Sequence, residues 1–478
     1  MSAPGLTVAR TLRAAGRQPS LPFRVDLADG RQLTMYRLLR ALPGKRLVGE
    51  GEFAGDRVLA KLFIGRRCEK HWHQEAAGLA ALRLAGLPTP ELVAATAMAA
   101  GGHALLTVFL DPAENLAESW ARLSRRTPGN ADALTLLAPA LRLLGRLHAA
   151  GLVQDDLHLG NFLRHDGQLF IIDGDAVRVV RRGQPLAPSE AGSNLAVLLA
   201  QLPPAWDRQL AALLSAYGEA AGQCLPEVAT LRRQIERVRA WRLGDFLGKT
   251  VRECTLFAVE HSGRRFSAVL RQEADWLAPI LASPDRAMAA GTLLKDGATC
   301  TVARVEVSGR ALVIKRYNLK DLRHALGRLW RPSRAWHSWR EAHRLRFFGI
   351  ATPAPLALIE ERVGPLRRRA WLISEFCGGP NLLVHLSANC PPPPAEARAI
   401  VALFGAMGEQ RISHGDLKAT NLLWAGDRVE LIDLDAVAQH RTPAAHARAW
   451  KRDRARLLRN WPADCALHRW LDEQLPAP

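Results

Sequence analysis

Lysine is scarce in this 478-residue chain. It occurs at Lys45, Lys61, Lys70, Lys249, Lys295, Lys315, Lys320, Lys418 and Lys451, against 56 arginines. A compact ammonium charge is therefore confined to a few places, each of which can be weighed singly. Cysteine is also sparse: seven residues, irregularly spaced, with no CxxC pair. That excludes a disulfide framework and a thiolate zinc site, and points to reduced thiols in a cytosolic protein. No uninterrupted apolar run reaches ~18 residues, so no membrane-spanning helix is expected. Met1 to Arg24 lacks an apolar centre, so no signal peptide is expected either. Acidic residues number 46 against 65 basic ones, a net charge of +19. Composition alone leaves that excess open to nucleic acid, a membrane surface or an anionic substrate.

What the chain does have is an apolar fraction of 48%, enough for globular folding throughout, and an internal repeat. Residues 156–177 (DLHLGNFLRHDGQLFIIDGDAV) align without a gap on residues 416–437 (DLKATNLLWAGDRVELIDLDAV). Asp156, Asn161, Asp173 and Asp175 fall on Asp416, Asn421, Asp433 and Asp435. Upstream, two β-like runs each carry one lysine, RVLAKLF (57–63) and RALVIKRY (310–317). A helical pattern follows each and ends in a Gly-apolar-x-Thr-Pro turn, at Gly86–Pro90 and Gly349–Pro353. The expected organisation is an α+β chain of two tandem units, 1–245 and 246–478, each strand-rich first and helix-rich second. The Arg-rich run from Leu231 to Arg242 should be helical and close the first unit. The proline run from Cys390 to Ala397 should be a local loop.

An Asp followed five residues later by an Asn, between a helix and a hairpin, has the spacing of a phosphotransferase catalytic loop. Asp156 and Asp416 would accept the proton of an attacking hydroxyl. Asn161 with Asp173, and Asn421 with Asp433, would hold Mg²⁺ on the phosphates of ATP. Lys61 and Lys315 lie mid-strand, where a charge is costly unless it meets a phosphate or a carboxylate. Glu75 on the following helix is the expected partner of Lys61, and Glu341 that of Lys315. Glu341 lies eight residues before its terminal glycine and Glu75 eleven before its own, almost one helical turn apart. Gly49 and Gly51, in Gly-Glu-Gly-Glu-Phe-Ala-Gly, would bring backbone N–H groups to phosphate. In the second half only Gly297 stands at a comparable place. Asp175 and Asp435 recur with no role assigned, metal binding and strand-end hydrogen bonding both being open.

The run His414-Gly-Asp-Leu-Lys-Ala-Thr-Asn421, the Gly-Ile-x-Thr-Pro turn and Lys315-Arg-Tyr resemble the lipopolysaccharide core kinase family, the Kdo/heptose kinase branch of the protein-kinase-like fold. Asp156-Leu-His-Leu-Gly-Asn161 is also similar to the aminoglycoside and choline type of small-molecule kinase. The resemblance implies two protein-kinase-like folds, each with a β-rich and a helical lobe. It further implies transfer of the ATP γ-phosphoryl group to a sugar hydroxyl of the lipopolysaccharide core or a related anionic glycolipid. The alternatives are a Ser/Thr protein or small-molecule kinase, and a pseudokinase pair acting as a scaffold in envelope assembly. In the first unit Gln154 stands for His414, Asp155 for Gly415 and His158 for Lys418, and either unit could be regulatory.

The charge is unevenly spread. Residues 301–350 hold 12 basic and 3 acidic residues, +9 of the +19. Within 316–346, arginines alternate with Tyr317, Trp330, Trp336 and Trp339, a pattern expected for peripheral contact with the inner face of a membrane or for an anionic acceptor. No motif supports nucleic acid as a partner.

Overall fold

In a computed structural model the described residues are 9–16, 18–124, 131–318, 332–363 and 366–476. The chain divides into two compact units, Met1–Arg239 and Ala240–Pro478.

The first unit opens with β1 (Phe23–Asp26), β2 (Gln32–Leu42), β3 (Arg46–Phe53), β4 (Asp56–Phe63), β5 (Leu92–Ala97) and β6 (His103–Val108), joined as one antiparallel sheet in the order β1-β2-β3-β4-β6-β5. Side chains alternate across a strand, and β4 uses both faces. Val58, Ala60 and Leu62 are buried in one core with Leu33, Met35 and Leu106. Lys61 and Phe63 face the other way, where Phe63 packs with Leu105 and with Leu79 of helix α1 (Cys68–Leu84). The two-residue period therefore turns Lys61 toward the one helix inserted in the sheet half.

The remaining core of this unit is helical. Helices α2 (Ala131–Ala149), α3 (Pro188–Leu199), α4 (Leu210–Ala221) and the part of α5 (Val228–Lys249) up to Arg239 bury a Leu- and Ala-rich cluster that includes Leu144, Leu195, Leu213 and Leu231. Between α2 and α3 lies the repeated segment, a 3₁₀ turn at Leu159–Asn161, a hairpin of β7 (Phe162–His165) with β8 (Gln168–Ile171), and a second 3₁₀ turn at Gly174–Ala176.

The second unit repeats this plan. Strands β9 (Phe257–His261), β10 (Arg265–Leu270), β11 (Thr292–Asp296), β12 (Cys300–Val307), β13 (Arg310–Tyr317), β14 (Pro355–Val363) and β15 (Leu366–Glu375) form one sheet in the order β9-β10-β14-β15-β13-β12-β11. Five strands follow the order of the first unit, with the lysine strand third, and β9-β10 extend the far edge. Helix α6 (Arg334–Phe347) matches α1, and the hairpin β16 (Leu422–Trp424) with β17 (Val429–Leu431) matches β7-β8. Helices α7 (Pro394–Glu409), α8 (Pro443–Leu458) and a last helix, α9 (Ala466–Gln474), belong to the helical part. The proline run is a loop only as far as Pro393. Pro394 is the first residue of α7, where its missing N–H costs nothing.

The described part of the 316–346 stretch does not present the expected aromatic face. Trp339 is fully buried, Tyr317 is 6% exposed, and Trp336 packs on Phe266 with ring centroids 4.8 Å apart. Arg334 and Arg344 bond to Asp435 and Glu341. Trp330 and the rest of 319–331 lie outside the described residues. No helix among the described residues is long and apolar enough to cross a membrane.

Candidate active site

In the first unit a cavity of about 410 Å³ lies between the sheet and the β7-β8 hairpin. Lys61, Glu75, Asn161 and Asp173 all line it. Lys61 Nζ donates to Glu75 Oε1 at 2.5 Å and to Asp173 Oδ1 at 2.8 Å. Burial opposes the ammonium charge, but the two carboxylates outweigh it and raise the Lys61 pKa. Burial also pushes Asp173 up, and Lys61 reverses this, leaving it below the usual carboxylate range. Asp173 adopts left-handed backbone, φ 74°, a conformation that is strained for a residue with a Cβ and is typical of functional turns.

Glu75 also accepts from the backbone N–H groups of Gly174 (3.0 Å) and Asp175 (3.3 Å). Such a short reach needs helix and turn in backbone contact. A Cβ at Gly78 would stand 1.8 Å from the Gly174 carbonyl oxygen, and one at Gly174 would meet the Glu75 carbonyl oxygen at 2.6 Å. Two glycines thus let α1 lie directly on the Asp173 turn. Asp175 pairs with Arg46 at 3.0 Å.

Asp156 is not in the cavity lining. Asn161 Nδ2 ties its side chain to the Asp156 carbonyl at 3.1 Å, and its Oδ1 is buried with no hydrogen-bond partner. The loop before Asp156 hangs from a buried chain of polar groups. The Tyr217 hydroxyl meets His148 Nδ1 (2.8 Å), His148 Nε2 meets Asn194 Oδ1 (3.0 Å), and Asn194 Nδ2 donates to the Gln154 carbonyl (2.8 Å). Gln154 Nε2 in turn donates to the carbonyls of Ile172 and Asp173.

Gly49 and Gly51 do not do what their pattern predicted. Both lie within β3, outside the cavity lining, where bulges bring β2 close. A Cβ at Gly49 would stand 2.3 Å from the Arg37 carbonyl oxygen, and one at Gly51 would stand 2.5 Å from that of Thr34. They are required by strand packing. The turn beside the cavity is Pro43-Gly44-Lys45, with Gly44 at φ 68°, and the flanking Arg40 and Arg46 line the cavity.

The second unit has a cavity of about 320 Å³ lined by Lys315, Tyr317, Ser338, Asn421 and Asp433. Lys315 Nζ donates to Asp433 Oδ1 at 2.6 Å, and Asp433 is again left-handed, φ 59°. The second carboxylate on Lys315 is Asp435, at 3.0 Å, and not Glu341. Glu341 pairs with Arg344 of its own helix at 2.8 Å. Counted from the terminal glycine, Ser338 holds the position of Glu75 and Glu341 that of Gly78, while Leu434 replaces Gly174. Side chains thus stand in place of both glycines, and the α6 carboxylate, Glu341, pairs with Arg344 and not with the turn. Asp435 is instead held by the hydroxyls of Ser338 (2.6 Å) and Tyr317 (2.7 Å) and by Arg334. Burial works against both charges, yet Lys315 is raised, by Tyr317, Asp435 and Asp433, and Asp435 is lowered, chiefly by Lys315. The recurrence of Asp435 was visible in the sequence. Its role was not, because the equivalence of Ser338 to Glu75 appears only when the two helices are aligned on their C-terminal glycines.

Asn421 Nδ2 donates to the Asp416 carbonyl at 3.0 Å, as Asn161 does to Asp156. His414 Nε2 meets the Ile432 carbonyl, the counterpart of Gln154 on Ile172. Asp453 of α8 accepts from the N–H groups of His414 (2.6 Å) and Gly415 (3.0 Å). Asp416 carries Lys418 on Oδ2 at 3.1 Å, and Arg456 lies 2.8 Å from Oδ1, an ion pair off hydrogen-bond geometry.

Comparison with known proteins bears on this half of the chain. Residues 294–472 match the profile of the "Lipopolysaccharide kinase (Kdo/WaaP) family". That match covers less than half of the chain and falls within the second unit. The matched residues run from β11 to the last helix and include Lys315, Asp416, Asn421, Asp433 and Asp435, so the Kdo/WaaP resemblance expected from the sequence is met there. Among solved structures the chain is similar to "WaaP in complex with acyl carrier protein", at 21% identity over 44% of this chain and 86% of that one, with a TM-score of 0.32. It is also similar to vaccinia related kinase 3, at 11% identity over 53% and 82%, with a TM-score of 0.27. No curated protein matches the chain.

Proposed function

We propose that the chain is an ATP-dependent kinase that phosphorylates a sugar hydroxyl of the lipopolysaccharide core, built from two kinase-like domains, 1–245 and 246–478. One observation carries this reading. Twice in the chain, a strand lysine is held by carboxylates opposite an Asn and a left-handed Asp, one loop away from a further Asp.

In this reading Lys61 and Lys315 bind the nucleotide phosphates. Asp416, and Asp156 in the first domain, orient the acceptor hydroxyl and take its proton as its oxygen bonds to the γ-phosphorus. The bond from that phosphorus to the bridging oxygen breaks, and ADP leaves with the electron pair. Carboxylate and amide oxygens suit a hard divalent cation, and the orphaned Asn161 Oδ1 has no other partner. Asn161 with Asp173, and Asn421 with Asp433, would hold Mg²⁺, which when bound neutralises phosphate charge. Lys418 would stand near the transferring group and neutralise charge there.

The test is phosphoryl transfer from labelled ATP to core oligosaccharide, a generic protein and an aminoglycoside. It would use the full chain and the variants Asp156→Asn and Asp416→Asn. Transfer to the oligosaccharide, reduced roughly 10²- to 10⁴-fold by loss of a working base, supports the reading. Transfer to protein alone, or nucleotide binding with no transfer to any acceptor, overturns it.

A further inference from the structure

Each unit has one helix whose side chain holds the backbone just ahead of the repeated Asp. In the first it is α3, where Asn194 Oδ1 accepts from Gln154 N–H at 3.3 Å. In the second it is α8, through Asp453. Aligned on these two residues, the helices differ completely in charge. Arg448, Lys451, Arg452, Arg456 and Arg459 of the α8 segment fall on Ser189, Gly192, Ser193, Val197 and Ala200.

Arg448, Arg452, Arg456 and Arg459 are spaced by four, four and three residues, so they share one helix face about 16 Å long at the usual helical rise. Arg448, Lys451, Arg452 and Arg459 are exposed. Among the described residues none of these four has a carboxylate partner, and Arg459 bonds only to the Ala455 carbonyl of its own helix. Within the stripe Arg456 lies on the Asp416 carboxylate, where Lys418 adds another cation. Like charges at these spacings repel and weaken a helix. An ordinary solvated face would mix signs, and the first unit's helix has no charge at all at the corresponding positions.

We infer that this face of α8 is a docking site for the anionic groups of a saccharide acceptor. Phosphate or carboxylate substituents lie along Arg448, Lys451 and Arg452 while a neighbouring hydroxyl reaches Asp416. The inference rests on the kinase reading above for the role of Asp416, but the docking itself does not. It also separates the two units, since α3 carries no charge at the aligned positions and would not take a polyanionic acceptor in the same way.

The experiment compares the full chain with a triple variant carrying the first unit's residues, Arg448→Ser, Lys451→Gly and Arg452→Ser, none of which touches Asp416. The probes are a glucosamine disaccharide bearing two phosphates, the same disaccharide bearing two carboxylates, and the neutral disaccharide. Binding is measured by calorimetry at low and at moderate salt. Expected are binding of both anionic probes, none of the neutral one, salt weakening, and a roughly 10- to 100-fold loss in the triple variant from three charge-assisted contacts, with ATP affinity unchanged. A helix-compatible Lys451→Ser in place of Lys451→Gly controls for any loss of folding. In turnover the same variants should raise KM for the anionic acceptor and leave kcat nearly unchanged. Equal binding of the anionic probes by both proteins overturns the proposal. So does a loss confined to phosphatidylglycerol vesicles or to an acidic protein. Because binding is read without turnover, a chain that binds the anionic probes through these residues but phosphorylates nothing would sink the kinase reading alone.

Discussion

Asp435 Oδ2 stands 3.0 Å from Lys315 Nζ, in the place that Glu75 fills for Lys61 in the other unit. The two cavities reach the same charge arrangement from different elements, a helix in one and the turn after the hairpin in the other. This substitution governs what mutagenesis should find.

Glu75→Gln and Asp435→Asn should each weaken nucleotide binding in their own unit. Each should also cost about 3 kcal/mol of stability, the scale for removing one partner of a buried pair. Glu341→Gln should leave nucleotide affinity intact, because its carboxylate serves Arg344. Titration with a fluorescent ATP analogue, alongside thermal unfolding, separates these variants. A Glu341→Gln protein that binds as poorly as Asp435→Asn would refute the assignment.

Gly78→Ala places a methyl carbon 1.8 Å from a backbone oxygen that cannot move without disturbing Asp173. We expect a loss of about 2 kcal/mol or more together with loss of ATP binding by the first unit. Gly405→Ala, in the interior of α7 where the added carbon meets nothing within 4 Å, should raise stability by ~0.5–1 kcal/mol. Denaturant midpoints measure both. A neutral Gly78→Ala would show that the helix can stand off without consequence.

His148 gives the first unit an acid-sensitive point. Burial depresses its pKa from 6.5 to about 4, so between those values the unfolded chain binds the proton and the folded one does not. Stability then rises with pH through this window and is fully present above about 6.5. The loss on going down to pH 4 is about 3 kcal/mol at most. Melting of the wild type between pH 7 and 4.5 should fall more steeply than that of His148→Gln, whatever their difference at pH 7. Parallel curves would exclude His148 as the source.

Asp453→Ala strips the acceptor from two backbone N–H groups ahead of Asp416. Each buried orphan costs roughly 1–3 kcal/mol. Since the loop they hold carries Asp416, kcat should fall while ATP affinity holds. A variant with a normal kcat would mean that the loop is set by His414 and the hairpin alone.

The architecture was legible in the sequence wherever periodicity and spacing carry the information. The lysine strands, the helix–glycine–proline turns and the Asp-to-Asn and Asp-to-Asp intervals all map onto matching elements in the two units. What escaped was decided by close approach across elements. Gly49 and Gly51 resemble a phosphate loop in one dimension, yet answer to the bulged strand beside them. Glu341 has the right residue type on the right helix, but it stands at the position of Gly78, nearly one turn from that of Glu75, and pairs with Arg344. In the described part of the basic stretch at 316–346, composition does not reveal that Trp339 is a core residue or that Arg334 has Asp435. The cationic face of α8 went unnoticed because its charges recur every three or four residues and never form a run.

The glycine pair at Gly78 and Gly174 also constrains how two such copies could have diverged from one ancestor. Both copies contain the second Asp, on Arg46 in one and on Lys315 in the other. A copy holding its lysine through the helix Glu could not lose either glycine while depending on that contact. Only a copy whose second Asp takes the lysine, as Asp435 does, can do without the helix Glu and both glycines. The opposite change needs two glycines and a glutamate to arrive together. The two wirings are therefore not interchangeable one residue at a time, since Ser338, Glu341 and Leu434 stand where the first has Glu75, Gly78 and Gly174.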